Sequence, residues 1–301
     1  MRKNLFLLLT VIVLFPALLP GGCGTTTSLV SRRALPDRDW PKQRVMVMPA
    51  ADLTGMPLDE LLDTVSAGVT KTLRKAGFFN VYHQNKAKKS ASFKPATPID
   101  TELIREARET GINAIIFQTL NPIETNPVKT GIWPFRRKAR RFTVSMNVDI
   151  VDVNRGTILL SEEVADNITL SDEEAREEKE KSTNVQTEKR VLKECLPDII
   201  RKAAMGAIPS LNRQVWTGRI VSADKQSIII NAGGDAGLRP GIVLEVFGEG
   251  EPITSLKGQT YQLPGPKVGE IKIVRIEPRR SSAEPLNGTD FKSGQIIRVK
   301  E

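Results

Sequence analysis

The chain has 301 residues, which exceeds one typical domain and predicts two. Hydrophobic residues make up 40% of it, enough to build packed cores, and the formal net charge is +9. That charge suits an anionic envelope surface, such as lipid head groups or wall polymers. With one histidine and two cysteines, the chain lacks the residues for a zinc centre, and we expect no metal and no cofactor.

A secretory signal peptide is predicted over residues 1–22. Arg2 and Lys3 give it a positive start, residues 5–19 are almost entirely apolar, and a small-residue turn ends at Cys23. The apolar run is shorter than the roughly 20 residues of a membrane-spanning helix. An uncleaved N-terminal anchor is the alternative. Because an exported chain rarely meets nucleic acid, none is expected as a partner.

The segment before Cys23 resembles the bacterial lipobox. Gly21, Gly22 and Cys23 match its last three positions, and Pro20 stands where the lipobox normally has leucine. The resemblance implies cleavage before Cys23, a diacylglycerol on its thiol and an acyl chain such as palmitate on the new N-terminus. Several acyl chains give stable anchoring. Gly24 then favours the outer membrane, with the protein facing the periplasm.

Residues 23–43 are rich in Thr, Ser, Arg and Pro and are predicted to be a flexible tether. A first domain is predicted over residues 44–212, with an α/β or α+β fold whose mixed sheet carries helices on one or both faces. Its predicted strands are 44–49, 78–82, 114–120, 142–153 and 157–165. Its predicted helices are 57–76, 99–110 and 190–211, where Pro197 introduces a kink or a new helix. Residues 86–98 are predicted to be a polar loop, and 172–187 an exposed helix or loop.

Residues 121–141 join two predicted strands and are predicted to be a loop too long for a tight hairpin. This loop combines aromatic side chains with a dense group of cations: Trp133, Phe135, Arg136, Arg137, Lys138, Arg140 and Arg141. Aromatic rings beside cations suit contact with an anionic membrane surface or an acidic partner. The alternative is a solubilising loop whose aromatics fold back onto the core.

A second domain is predicted over residues 213–301, where short apolar runs alternate with glycine turns. A small β-barrel is the natural closure, because it removes exposed strand edges. The predicted strands are 215–222, 227–232, 242–247, 267–276 and 295–299.

Three features that could carry chemistry are given structural interpretations. The glycine-rich segment 233–241 lacks the Gly-Lys-Ser/Thr ending of a nucleotide loop, so it is predicted to be a turn with positive φ angles. His83 is the only histidine and has no support for a catalytic set. Cys195 lies at helical spacing between apolar residues and is predicted to be buried, with an intermolecular disulfide as the alternative.

Segments spread over the whole second domain carry a family resemblance: 217–221, 228–233, 237–241, 268–274, 281–283 and 294–299. Through them the domain resembles the C-terminal domain of the flagellar assembly protein T family, which implies a small SH3-like barrel used for protein interaction, without catalytic residues. The first domain resembles the α/β domain of the TolB N-terminal region and the curli-secretion lipoprotein, through residues 45–49, 111–117 and 148–158. The flagellar family usually has a signal peptide without a lipobox and an extra N-terminal domain, whereas this chain is expected to carry a lipobox and to leave no room for that domain.

Three functions follow as hypotheses. The first is a non-catalytic envelope lipoprotein that docks protein partners in an assembly, such as the flagellar basal body. The second is an oligomeric curli-type secretion channel subunit, which needs two strand pairs with about ten alternating residues each. The third is an envelope enzyme acting on wall or lipid.

Overall fold

The computed structural model describes residues 41–84, 100–171, 173–174, 183–224, 227–255 and 260–300, which belong to one compact unit. The predicted signal peptide, Cys23 and the predicted loop 86–98 lie outside these residues, as does most of the predicted tether. Gln43, placed in the tether from the sequence, is already the first residue of a strand.

A seven-stranded mixed sheet forms the first half of the described chain. Its order is β3-β1-β4-β6-β5, with β2 pairing to β4 and β7 pairing to β6. Strands β1 and β3, β1 and β4, and β2 and β4 run parallel, whereas β6 runs antiparallel to β4, β5 and β7. The strands are β1 Gln43–Val47, β2 Ala51–Asp52, β3 Phe79–His83, β4 Ala114–Leu120, β5 Glu124–Thr130, β6 Arg137–Asp152 and β7 Thr157–Ser171.

Helices cover both faces of this sheet. Helices α1 (Asp59–Ala76) and α3 (Asn184–Asn212) share one core with the strands, whereas α2 (Thr101–Glu109) packs into a second core with other strand residues. Local signals set the helix ends: Asp100 caps α2, Thr183 and Gln186 form a capping box on α3, and Gly77 ends α1 with a left-handed φ.

A closed antiparallel barrel of six strands forms the C-terminal part, in the order β10-β11-β12-β9-β8-β13. Closure pairs every strand edge, as the sequence predicted. Its interior is filled by Trp216, isoleucines of several strands, Leu244 and Val246. The strands are β8 Gly218–Ala223, β9 Ile228–Ile230, β10 Val243–Thr254, β11 Thr260–Ile276, β12 Ser281–Gly288 and β13 Ile296–Val299.

The barrel is fixed to the sheet by a buried polar junction. Arg44, at the start of β1, donates to both carboxylate oxygens of Asp235, at 3.1 and 2.7 Å, and to the Asn231 carbonyl at 2.6 Å. The Asn113 amide donates to the Thr217 carbonyl at 2.6 Å. Because these groups are buried and paired, the sheet and the barrel are held as one frame.

Three sequence predictions were wrong in detail. Residues 121–141 are not a loop, since they contain β5 and the first residues of β6. Strand β12 was missed. Pro197 does not start a new helix, because α3 continues unbroken through it and through Pro209.

Candidate interaction surface

A long β-hairpin carries the basic-aromatic segment away from the core. Strand β6 pairs with β4 along its C-terminal half and with β5 along its N-terminal half, while β7 lies on its other edge. The register runs from Glu124 opposite Thr143 to Thr130 opposite Arg137. The predicted loop is therefore a hairpin built on the end of the sheet.

A six-residue turn closes this hairpin between Thr130 and Arg137. Phe135 donates its backbone N–H to the Ile132 carbonyl at 2.7 Å. Gly131 opens the turn with φ of +94°, and a Cβ there would lie 3.0 Å from the Phe135 carbonyl oxygen. Glycine is thus the residue that this turn requires.

The turn presents three large apolar side chains to solvent. Ile132 is 84% exposed, Trp133 78% and Phe135 82%, whereas Phe142 at the base of the hairpin is 7% exposed. The aromatics therefore do not fold back onto the core, and that alternative is wrong. Ile132 was not singled out from the sequence, although its position beside Trp133 was a usable signal.

Six cations flank this apolar tip, one at the end of the turn and five on the two strands behind it. No acidic residue occurs between residues 125 and 148. Lys129 lies directly opposite Lys138 in the register, a like-charge pair that destabilises an isolated hairpin. Among the described residues, none of the six forms an ion pair. We call them the basic collar: Lys129, Arg136, Arg137, Lys138, Arg140 and Arg141.

The hairpin does not carry the alternating apolar pattern that the channel hypothesis requires. Val128 is the only hydrophobic residue in β5, and residues 137–141 of β6 contribute cations and Ala139. In the second segment of that hypothesis, residues 172–189, half of the residues are described, and residues 184–189 form the start of α3 and not a strand. None of the described helices has both the length and the apolar character to cross a bilayer.

The remaining sequence candidates occupy structural positions. Cys195 is 1% exposed, and burial, aided by nearby carboxylates, raises the pKa of its thiol to about 11, so it is poorly placed for an intermolecular disulfide. His83 is exposed at the end of β3. In the described part of the chain, no group of His, Cys, Asp and Glu side chains could hold a metal ion.

The glycine-rich segment 233–241 is a tight connection, as predicted. Gly237 and Gly241 have φ angles of +80° and +92°. A Cβ on Gly233 would lie 2.1 Å from the Glu277 carbonyl oxygen. The glycines therefore let two backbone segments approach each other, and the same segment supplies Asp235 to the junction.

Comparisons with known proteins found partial structural likenesses only. No family model and no curated protein matches the chain. Among solved structures, the hypothetical protein CT253 from Chlamydia trachomatis is 12% identical, covering 57% of this chain and 99% of its own, with a TM-score of 0.37. The PelC dodecamer from Paraburkholderia phytofirmans is 14% identical over 54% of this chain and 88% of its own, with a TM-score of 0.29.

A third likeness is to a protein described as a lipoprotein, GNA1162 from Neisseria meningitidis. It is 16% identical, covers 56% of this chain and 98% of its own, and has a TM-score of 0.28. These TM-scores are too low to carry an inference about fold or function.

Proposed function

We propose that this chain is a non-catalytic lipoprotein of the bacterial envelope that docks protein partners in an envelope assembly. Lipid on Cys23 holds it on the membrane, by preference the outer membrane facing the periplasm. The resemblance of the barrel to the flagellar assembly protein T family makes the flagellar basal body the first assembly to test.

One observation supports this proposal above the others: the hairpin displays exposed apolar side chains together with cations that form no ion pair within the described part of the chain. Ile132, Trp133 and Phe135 are largely exposed at its tip, and the collar cations lack ion pairs among the described residues. Exposed aromatics and unpaired cations are features of surfaces used for contact. Their concentration at one tip favours docking over chemistry.

The buried junction supports a docking role in a second way. Arg44 and Asn113 tie the barrel to the sheet through hydrogen bonds with 2.6–3.1 Å donor–acceptor distances. A frame held in this way keeps the hairpin and the barrel at fixed positions relative to each other. A rigid frame that presents the hairpin tip at a fixed position suits a docking protein.

Gene deletion tests the proposal directly. The deletion strain is expected to lose motility, secretion or envelope integrity, and the intact gene should restore the lost property. A gene with Trp133→Ser and Phe135→Ser should restore it poorly, whereas one with Lys71→Gln and Lys193→Gln, two exposed positions outside the hairpin, should restore it fully. A deletion strain normal in all three assays would contradict the proposal.

A further inference from the structure

We infer that the tip of the β5–β6 hairpin inserts into the head-group region of an anionic phospholipid bilayer, with the basic collar held at the phosphate level. This inference rests on the proposed function, because a lipid-anchored chain is held beside a bilayer. It adds a second membrane contact to the anchor and assigns that contact to particular side chains.

Apolar and charged side chains are separated along the length of the hairpin. The three exposed apolar residues all lie within the turn, Arg136 is the last residue of that turn, and the other five collar cations lie behind it on the two strands. Trp is enriched at membrane interfaces, and Lys and Arg are attracted to anionic lipids. The hairpin thus changes from apolar to cationic along one direction, as the edge of a bilayer changes from acyl chains to phosphates.

The collar cations lie on both faces of the hairpin. Side chains alternate between faces along a strand, so Lys138 and Arg140 lie on one face and Arg137 and Arg141 on the other. A protein partner that binds a hairpin from one side would use one of these faces. A lipid surface surrounds an inserted tip and can use both.

Like charges repel one another within the basic collar. Lys129 and Lys138 are directly opposed, and Arg137 follows on the same end of the hairpin. The exposed carboxylates Glu173 and Glu174 follow the end of β7, and the Glu174 carboxylate already accepts a hydrogen bond from the Ser171 backbone N–H. An array of phosphates would neutralise the opposed lysines.

The length of the hairpin and the reach of the tether are also compatible with contact between the tip and a bilayer. Arg140 lies opposite Leu170, which belongs to the buried core, and Arg137 lies three residues nearer the turn, so the turn begins roughly 10 Å beyond the core. Residues 24–40, between Cys23 and the described chain, could span at most roughly 60 Å even when fully extended. The register of β1, β4 and β6 places the tip at the end of the sheet opposite the start of β1, and the 16 residues of β6 span roughly 50 Å. The extended tether is at least as long as this distance, so the tip can reach the bilayer that holds Cys23.

Vesicle sedimentation tests the inference, using the unlipidated chain of residues 24–301, which keeps every described residue. The chain is expected to bind vesicles of phosphatidylcholine with phosphatidylglycerol far better than phosphatidylcholine alone, and less well at high salt. Changing Arg136→Gln, Arg137→Gln and Lys138→Gln together should lower this partitioning roughly 100-fold, at about 5-fold for each cation.

Two further variants separate the tip from general charge. Trp133→Ser with Phe135→Ser should lower partitioning roughly 10-fold or more while leaving the net charge unchanged. The matched control removes three exposed lysines outside the hairpin, Lys71→Gln, Lys193→Gln and Lys272→Gln, and should change partitioning by no more than about 2-fold. Circular dichroism spectra of all variants should match that of the unchanged protein, which checks that each variant is folded.

Equal loss in the tip and control triple variants, or unchanged binding by the aromatic variant, would overturn the inference. Vesicle binding that is unaffected by any tip variant, together with an acidic envelope protein retained only by the unchanged tip, would assign the contact to protein instead. Either result would leave the proposed docking function standing, because the gene deletion tests that function separately.

Discussion

At the scale of single residues, the ion pair between Arg44 and Asp235 is the contact on which the junction depends most. The Arg44 side chain is 4% exposed, and the pair closes at 2.7 Å. Tyr82 donates its hydroxyl to the same carboxylate at 3.0 Å, and burial, together with this hydrogen bond, raises the pKa of Tyr82. The guanidinium therefore depends on one carboxylate for its neutralisation.

Asp235→Asn should lower the free energy of unfolding by about 3 kcal/mol, because it leaves a buried guanidinium without a counter-charge. The matched control is Asp198→Asn, which breaks an exposed pair with Arg201 on α3 and should cost well under 1 kcal/mol. Urea denaturation measures both. Equal losses in the two variants would contradict the importance of the junction pair.

Glu270 gives the barrel a dependence on pH. Hydrogen bonds from Lys267 and Lys300 hold the pKa of its carboxyl at about 2, below the ordinary 4.5. Because the folded pKa is depressed, the contribution of Glu270 to stability is present above the ordinary pKa and is lost as pH falls toward about 2. Glu270→Gln should therefore destabilise the barrel at neutral pH and flatten the fall in stability with acid.

Urea midpoints of the parent and Glu270→Gln, measured from neutral pH into the acid range, check this. The two proteins should differ most at neutral pH and converge at low pH. A difference between the two urea midpoints that grows as the pH falls would contradict a stabilising role for the ionised Glu270 carboxylate.

At the scale of elements, the sequence predicted best the strands and helices whose own residues show a clear apolar pattern. Strand β4 was predicted with its exact bounds because all seven of its residues are buried and apolar residues dominate it. Strand β5 has no such pattern and contains Pro127, and its extended form depends on pairing with β6. Strand β12 carries Pro285 and was missed for the same reason.

The candidate site was predicted in part, again for a physical reason. The types of its residues, aromatic and cationic, could be read directly from the sequence. Their placement at the tip of a projecting hairpin depends on the pairing of β5 with β6, which connects residues through a turn that has no standard sequence signature. Exposure of Ile132 is a consequence of that pairing.

Helix α3 also shows an element overriding local preference. Pro197 lies inside the helix and is exposed, so it removes a backbone hydrogen bond while adding no packing. Burial of one face of α3, including Val191, Cys195 and Ile199, holds the helix together across it.

Pro197→Ala should raise the free energy of unfolding by roughly 1–3 kcal/mol, because it restores a helical hydrogen-bond donor. Lys193→Ala, an exposed change on the same helix, is the control and should alter stability by no more than about 0.5 kcal/mol. Urea denaturation of both variants checks this. A loss of stability in Pro197→Ala would show that the proline is needed for packing.

At the scale of the whole molecule, three features occur in one chain: a predicted lipid anchor at Cys23, a hairpin with an apolar tip and a basic collar, and a closed barrel. The junction around Arg44 joins the sheet that carries the hairpin to the barrel. On this account the anchor holds the frame beside a bilayer, the hairpin contacts that bilayer, and the barrel is left to bind protein partners.

Mass spectrometry of the mature N-terminus, on protein extracted from the envelope, tests directly whether the protein is a lipoprotein anchored through Cys23. We expect the mature chain to begin at Cys23 and to carry a diacylglycerol on the thiol and an acyl chain on the amino group. Cys23→Ser should abolish this processing and release the protein from the membrane fraction or leave the precursor uncut. An N-terminal peptide that retains residues 1–22 in the unchanged protein, or an unmodified Cys23, would contradict the account.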